Sequence, residues 1–106
     1  MNPQSPPKPP TVYLVEDDRE LREAAQQSLE LEGLEVAAFP DARSAYAALS
    51  PEFAGVIVTD VRMPGVDGIE FFQQVRELDP ELPVILVTGH GDVAMAVEAM
   101  RNGAAD

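Results

Sequence analysis

The chain has no cysteine, a single histidine, and only 7 basic residues against 19 acidic ones. Each shortage excludes something. Without cysteine there is no disulfide framework and no thiolate metal site. A net charge of −12 leaves no basic face for phosphate contacts, so this segment is not expected to bind nucleic acid directly. No apolar run approaches the roughly 20 residues of a membrane span. The amino terminus lacks the basic start and apolar centre of a secretory signal. A cytoplasmic location without membrane contact is the resulting expectation. His90 has no second His or Cys to share a metal with and reads as a polar loop residue. Gly65 and Gly68 form no phosphate-binding loop, since neither GxGxxG nor GxxxxGKS/T is present.

What remains is 106 residues with an ordinary hydrophobic share of 45%, enough for one small domain with its own core. The acidity has a bland reading, solubility. It also has a sharper one, a clustered site that holds a cation. The two are compatible.

Residues 1–10 are half proline and show no apolar periodicity. They are expected to form a disordered or polyproline-like extension, with the domain proper spanning 11–106. Thr11 to Val15 reads as a short strand, followed at once by Glu16, Asp17 and Asp18. Asp18 fits the cap of a helix from about Arg19 to Glu32, where Leu21, Ala24, Ala25, Ser28, Leu29 and Glu32 step by three and four and Leu31 supplements the apolar face. Gly33 suits a left-handed stop. Leu34 to Phe39 is a second strand. Asp41 caps a short helix through Leu49, with Ala45, Ala48 and Leu49 inward.

The stretch from Val56 to Gly68 organises the rest. It begins as a β-branched apolar run, the mark of a strand buried on both faces. It ends on Asp60, passes a Pro64-Gly65 turn, and reaches Asp67-Gly68 at the start of another helix. That helix runs to about Leu78, with Ile69, Phe72 and Val75 expected in the core. Pro83 to Thr88 is a fourth strand. Gly89-His90-Gly91 is a loop, and Asp92 caps a last helix through about Asn102.

The alternation βαβαβαβα predicts an α/β fold, a doubly wound parallel sheet with helices on both faces. The flavodoxin-like strand order 2-1-3-4 makes the first and third strands neighbours. Glu16 and Asp17 then lie beside Asp60 at the carboxyl rim, with Thr88 on its far side. One acid of the Glu16-Asp17-Asp18 run is explained as a cap; three are not. A hard cation such as Mg²⁺, held by carboxylate oxygens and water, explains the others. An aspartate in such a place can be a metal ligand, a nucleophile or both. A carboxylate can attack phosphorus to give an acyl phosphate, and a cation would offset the repulsion of the anionic donor.

Three stretches carry a resemblance: Val15-Glu16-Asp17-Asp18, Val58 to Gly68, and Val87-Thr88-Gly89. In their joint spacing they resemble the site motifs of the receiver domains of two-component response regulators. The resemblance implies a signalling switch rather than an enzyme, one that assists its own phosphorylation and dephosphorylation. It makes Asp60 the acceptor of a phosphoryl group from a sensor histidine kinase and Thr88 the switch hydroxyl. Mg²⁺ would be held by Asp17 and Asp60, by the backbone carbonyl of Arg62, and through water by Glu16. A phosphatase of the haloacid dehalogenase type also uses a strand-end aspartate. It carries a second acid two residues later, where this chain has Arg62.

A finer resemblance is to the regulators of C4-dicarboxylate transport, in the nitrogen-regulator-like group that activates sigma-54 promoters. It rests on Asp17 to Arg22, Phe53 to Val56, Leu78 to Pro83 and Val84 to Val97. The last stretch is also similar to nitrogen-fixation regulators with a helix-turn-helix output. The implied partners are an AAA+ ATPase and a DNA-binding domain in the parent protein, which would act as a homodimer. Receivers continue into a fifth strand, with a switch aromatic and a phosphate-binding lysine, and a fifth helix. The chain is expected to be truncated before them. A receiver-like interaction module that never takes phosphate is the remaining alternative.

Overall fold

The computed structural model describes residues 11–88 and 97–98. The expected extension at 1–10, the loop bearing His90 and the helix capped by Asp92 lie outside the described residues, except for Val97 and Glu98, which are helical. The elements are β1 (Thr11–Val15), α1 (Arg19–Leu31), β2 (Glu35–Phe39), α2 (Ala42–Ala48), β3 (Val56–Asp60), α3 (Gly68–Leu78) and β4 (Val84–Val87). The strands form one parallel sheet, as the alternation predicts, in the expected flavodoxin-like order β2-β1-β3-β4. The register sets Val15 against both Phe39 and Thr59, and Asp60 against Val87.

α1, α2 and α3 each begin where a carboxylate satisfies a backbone N–H that has no partner within the helix. The Asp18 carboxylate accepts from Leu21 N at 3.1 Å, and that of Asp67 from Glu70 N at 2.9 Å. At Asp41 the hydroxyl and N–H of Ser44 both donate to Oδ1, each at 2.7 Å, and together hold this carboxyl below the usual range. All three caps fall where the sequence places them. Asp67→Ala is expected to cost about 1 kcal/mol in urea unfolding, and Asp67→Asn far less, because Asn caps nearly as well. At the other end of α1, Gly33 adopts φ +86° and its N–H donates to Glu30 O at 3.0 Å, the left-handed stop expected there.

The sheet separates two apolar layers. On one side Leu29 of α1 packs with Val12, Leu14, Val58 and Val87. On the other, α2 and α3 bring Ala42, Ala45, Phe71 and Val75 against Val15, Ile57 and Val84. Several inward assignments from the sequence are corrected here. Ala24 and Ser28 of α1 are exposed and line the cleft beside Asp60, because the buried contact of this helix is made by Leu29. Leu31 is 81% exposed, because it lies two residues beyond Leu29 and so points away from the sheet. Ala48 is exposed, because Ala42 and Ala45 define the buried stripe of α2. In α3 the buried stripe is Gly68, Phe71 and Val75, so Ile69, about 200° around the helix from Phe71, is exposed. Phe72 is only partly buried, with the Arg76 guanidinium 5.6 Å above its ring.

Candidate phosphoacceptor and metal site

The carboxyl ends of β1 and β3 are adjacent, so the residues that follow them meet at one rim. Glu16 leaves β1 with its N–H on Phe39 O of β2, at 3.1 Å. Its carboxylate turns back to accept from Asp18 N at 3.0 Å. The loop is also held from the helix. The Arg22 guanidinium donates to the Glu16 carbonyl at 2.9 Å and to the Asp17 carbonyl at 3.4 Å. Sequence reasoning assigned no role to Arg22. The available signal was its position four residues after the Asp18 cap, one turn into α1, where a long basic side chain can reach back to the preceding loop.

Asp60 ends β3. Its backbone stays tied to the sheet, since Val61 N donates to Val87 O at 3.0 Å. Its carboxylate accepts from Arg62 N at 3.1 Å, which limits its rotation. Thr59, fully buried beneath it, donates its hydroxyl to the Asp60 carbonyl at 3.1 Å. Behind the loop, Gly68 N donates to Val61 O at 2.9 Å. A Cβ at Gly68 would fall on the Asp60 carbonyl oxygen, so glycine lets α3 start directly against the strand end.

One carboxylate oxygen each from Glu16, Asp17 and Asp60 lie within 4.8 Å of one another. Glu16 and Asp60 are half-buried and Asp17 is exposed. Burial pushes the Glu16 carboxyl up to about 7, and the nearby Asp60 and Asp17 add to the shift against the opposing Asp18 N–H. Three converging acids thus hold a proton near neutrality or need a cation. The donor set is oxygen throughout, with no imidazole or thiolate, which suits a hard ion of the Mg²⁺ or Ca²⁺ kind. Thr88 follows β4, exposed, one residue beyond the partner of Asp60 in the β3–β4 register. With Glu16 and Asp60 it lines a cleft of about 270 Å³ floored by Leu14, Val15 and Val87. The structure therefore brings together Glu16, Asp17, Asp60 and Thr88. It places Arg62 beside them by its backbone N–H, which donates to the Asp60 carboxylate, while Arg62 itself is exposed.

A doubly wound parallel sheet with this acidic rim belongs to the flavodoxin-like class. Within that class, residues 12–106 match the family model for the response regulator receiver domain, and the chain belongs to that family. It is 55% identical over 97 residues to the C4-dicarboxylate transport transcriptional regulatory protein DctD of Rhizobium meliloti, covering 92% of this chain and 21% of that protein. Against DctD of Pseudomonas aeruginosa it is 54% identical over 95 residues, covering 90% of this chain and 21% of that one. The crystal structure of FixJ-N superimposes with a TM-score of 0.67 at 41% identity, covering 90% of this chain and 76% of that chain. The chain thus spans about a fifth of the length of the DctD proteins that it matches. Among the described residues no helix is long and apolar enough to cross a membrane.

Proposed function

We propose that this chain is the phosphoacceptor switch of a transcriptional response regulator, with Asp60 as the phosphorylated residue. The observation that carries the reading is the convergence of the Glu16, Asp17 and Asp60 carboxylates within 4.8 Å at the carboxyl rim of the sheet. Asp60 is the best placed nucleophile of the three. It ends the central strand, is half-buried, and is held by the Arg62 N–H.

In the proposed reaction an Asp60 carboxylate oxygen bonds to phosphorus while the phosphorus–nitrogen bond of a sensor kinase phosphohistidine breaks. The products are an acyl phosphate and the kinase histidine. Glu16, Asp17, Asp60 and the Arg62 carbonyl would hold Mg²⁺, Glu16 through water. The ion would supply positive charge against the phosphoryl oxygens. Thr88 offers a hydroxyl on the other side of Asp60, and its movement toward the phosphoryl group would carry the change to the segment that follows β4.

The parent protein is proposed to carry an AAA+ ATPase and a DNA-binding domain, to dimerise, to work in the cytoplasm and to control sigma-54-dependent dicarboxylate transport genes. The 55% and 54% identities to two DctD proteins support this over a FixJ-type regulator, for which the FixJ-N identity is 41%.

The test is intact mass after incubation with a small phosphodonor, with and without Mg²⁺. One phosphoryl adduct that requires Mg²⁺ is expected, and an unmodified chain in both samples overturns the reading. Asp17→Asn is expected to weaken Mg²⁺ binding in calorimetric titration by at least about tenfold, since even the loss of a hydrogen-bond partner to a metal ligand costs that much. An unchanged affinity would remove Asp17 from the ligand set.

A further inference from the structure

The proposed chemistry lies at the carboxyl rim and leaves the opposite end of the sheet without a task. There, α2 and α3 end and β3 and β4 begin. Between them lies a groove of about 290 Å³ lined by Leu49, Ser50, Pro51, Leu78, Asp79 and Leu82. Leu78 is 53% exposed in it, one of four large apolar side chains exposed among the described residues. The acids Glu52, Asp79 and Glu81 belong to the two loops that form the groove, and Glu52 and Glu81 are exposed. The α3–β4 loop is firm, since Asp79 Oδ1 accepts from Glu81 N at 3.1 Å and Leu82 N donates to Asp79 O at 3.2 Å.

The same end of the sheet is where residues 1–10 enter. Thr11 opens β1, and its carbonyl lies against Gly55, the residue before β3. From there Ile57 N reaches Pro83 O at 3.0 Å, the residue before β4. The start of β4, beside which the groove lies, is thus about two strand spacings from Thr11, roughly 10 Å. Ten residues in polyproline geometry extend about 31 Å, so the segment has ample reach.

Its chemistry fits the groove. Proline rings are apolar and carry no N–H, so such a segment lies on an apolar surface without stranding backbone donors, and it loses little entropy on docking. Lys8 is the single lysine of the chain and the one basic side chain before Arg19. It stands among the prolines, where it would meet the acidic loops.

We propose that residues 1–10 cross the amino end of β3 and dock in the α2–α3 groove, with Pro6 and Pro7 against Leu78 and Lys8 paired with Glu52, Asp79 or Glu81. The contact is a built-in strap at the end of the sheet remote from Asp60. It covers Leu78 and keeps the extension away from the acidic rim.

Zero-length carbodiimide coupling tests this directly, because Lys8 and the terminal amine are the only primary amines in the chain. Peptide mapping of an equal mixture of ¹⁴N and ¹⁵N chains is expected to show Lys8 amide-linked to Glu52, Asp79 or Glu81 within one chain. Leu78→Asp is expected to abolish these links while far-ultraviolet circular dichroism stays unchanged. Replacing Pro6 and Pro7 by glycine, which leaves the folded core untouched, is expected to reduce them as well. Links to Glu35 would send the segment toward β2 and overturn the proposal. So would links spread over Glu20, Glu23 and Glu30 of α1, links only between chains, links that persist in both variants, or no Lys8 link at all.

Discussion

Asp60→Asn is expected to abolish the Mg²⁺-dependent phosphoryl adduct while leaving the fold intact. The substitution is nearly isosteric, and Asn can still accept from Arg62 N, the hydrogen bond that Asp60 makes at 3.1 Å. Two things change. A neutral amide oxygen is a far weaker nucleophile than a carboxylate, so no acyl phosphate forms. One of three converging negative charges is also gone, which relieves Glu16 and weakens the hold on a cation. Intact mass distinguishes the outcomes. The wild-type chain gains one phosphoryl group and the variant gains none. A variant that is still modified would place the acceptor elsewhere, with Asp17 the next carboxylate to examine.

Phe71→Ala is expected to be the most destabilising single truncation in the described core, costing about 3–5 kcal/mol in urea unfolding. Phe71 is fully buried and is the largest such side chain among the described residues. It sits in the layer that joins α2 and α3 to the sheet, with Ala42, Ala45, Ile57 and Val75. Removing its ring opens a cavity that the short, alanine-rich α2 cannot collapse to fill. For a small domain with about 5–15 kcal/mol of total stability, that loss is a large share. Ile69→Ala is the internal control. Ile69 is 44% exposed, and its truncation is expected to shift the midpoint only slightly, within about 0.5 kcal/mol. Comparable losses for the two would mean that α3 presents a different face to the sheet.

The α3 pair shows where sequence reading reaches its end. Ile69, Phe72 and Val75 have helical spacing and read as a core stripe. Phe71 and Val75, with Gly68, have helical spacing too. Periodicity detects an amphipathic helix, but where apolar residues cover a wide arc it cannot choose the rotation. The choice is made by the close approach of Gly68 to the Asp60 carbonyl, which fixes how α3 leaves the loop. The same holds for Leu31, apolar in sequence and outward in space. Caps and stops are different. Asp18, Asp41, Asp67 and Gly33 act within a few residues of themselves, and all four were readable.

The rim was legible for a further reason. A parallel sheet ends every strand on the same side, so an acid directly after β1 and another ending β3 must lie at one edge once the strand order is known. Right-handed crossovers leave few strand orders, and the flavodoxin-like one chosen among them is the order observed. Arg22 was legible only as a side chain able to reach the loop. Its contacts to the Glu16 and Asp17 carbonyls depend on the angle at which α1 departs from β1.

The residue pattern alone determined the element order, the parallel sheet, the helix caps and the identity of the rim residues, because these depend on local chemistry and on few topological choices. Tertiary structure alone decided which face of α3 is buried, that Arg22 pins the acidic loop, and how close the three carboxylates come. These depend on distances between elements far apart in sequence, which no local pattern encodes. The rise of Glu16 to about 7 belongs with them, since it needs burial first and then Asp60, which packing brings beside the adjacent Asp17.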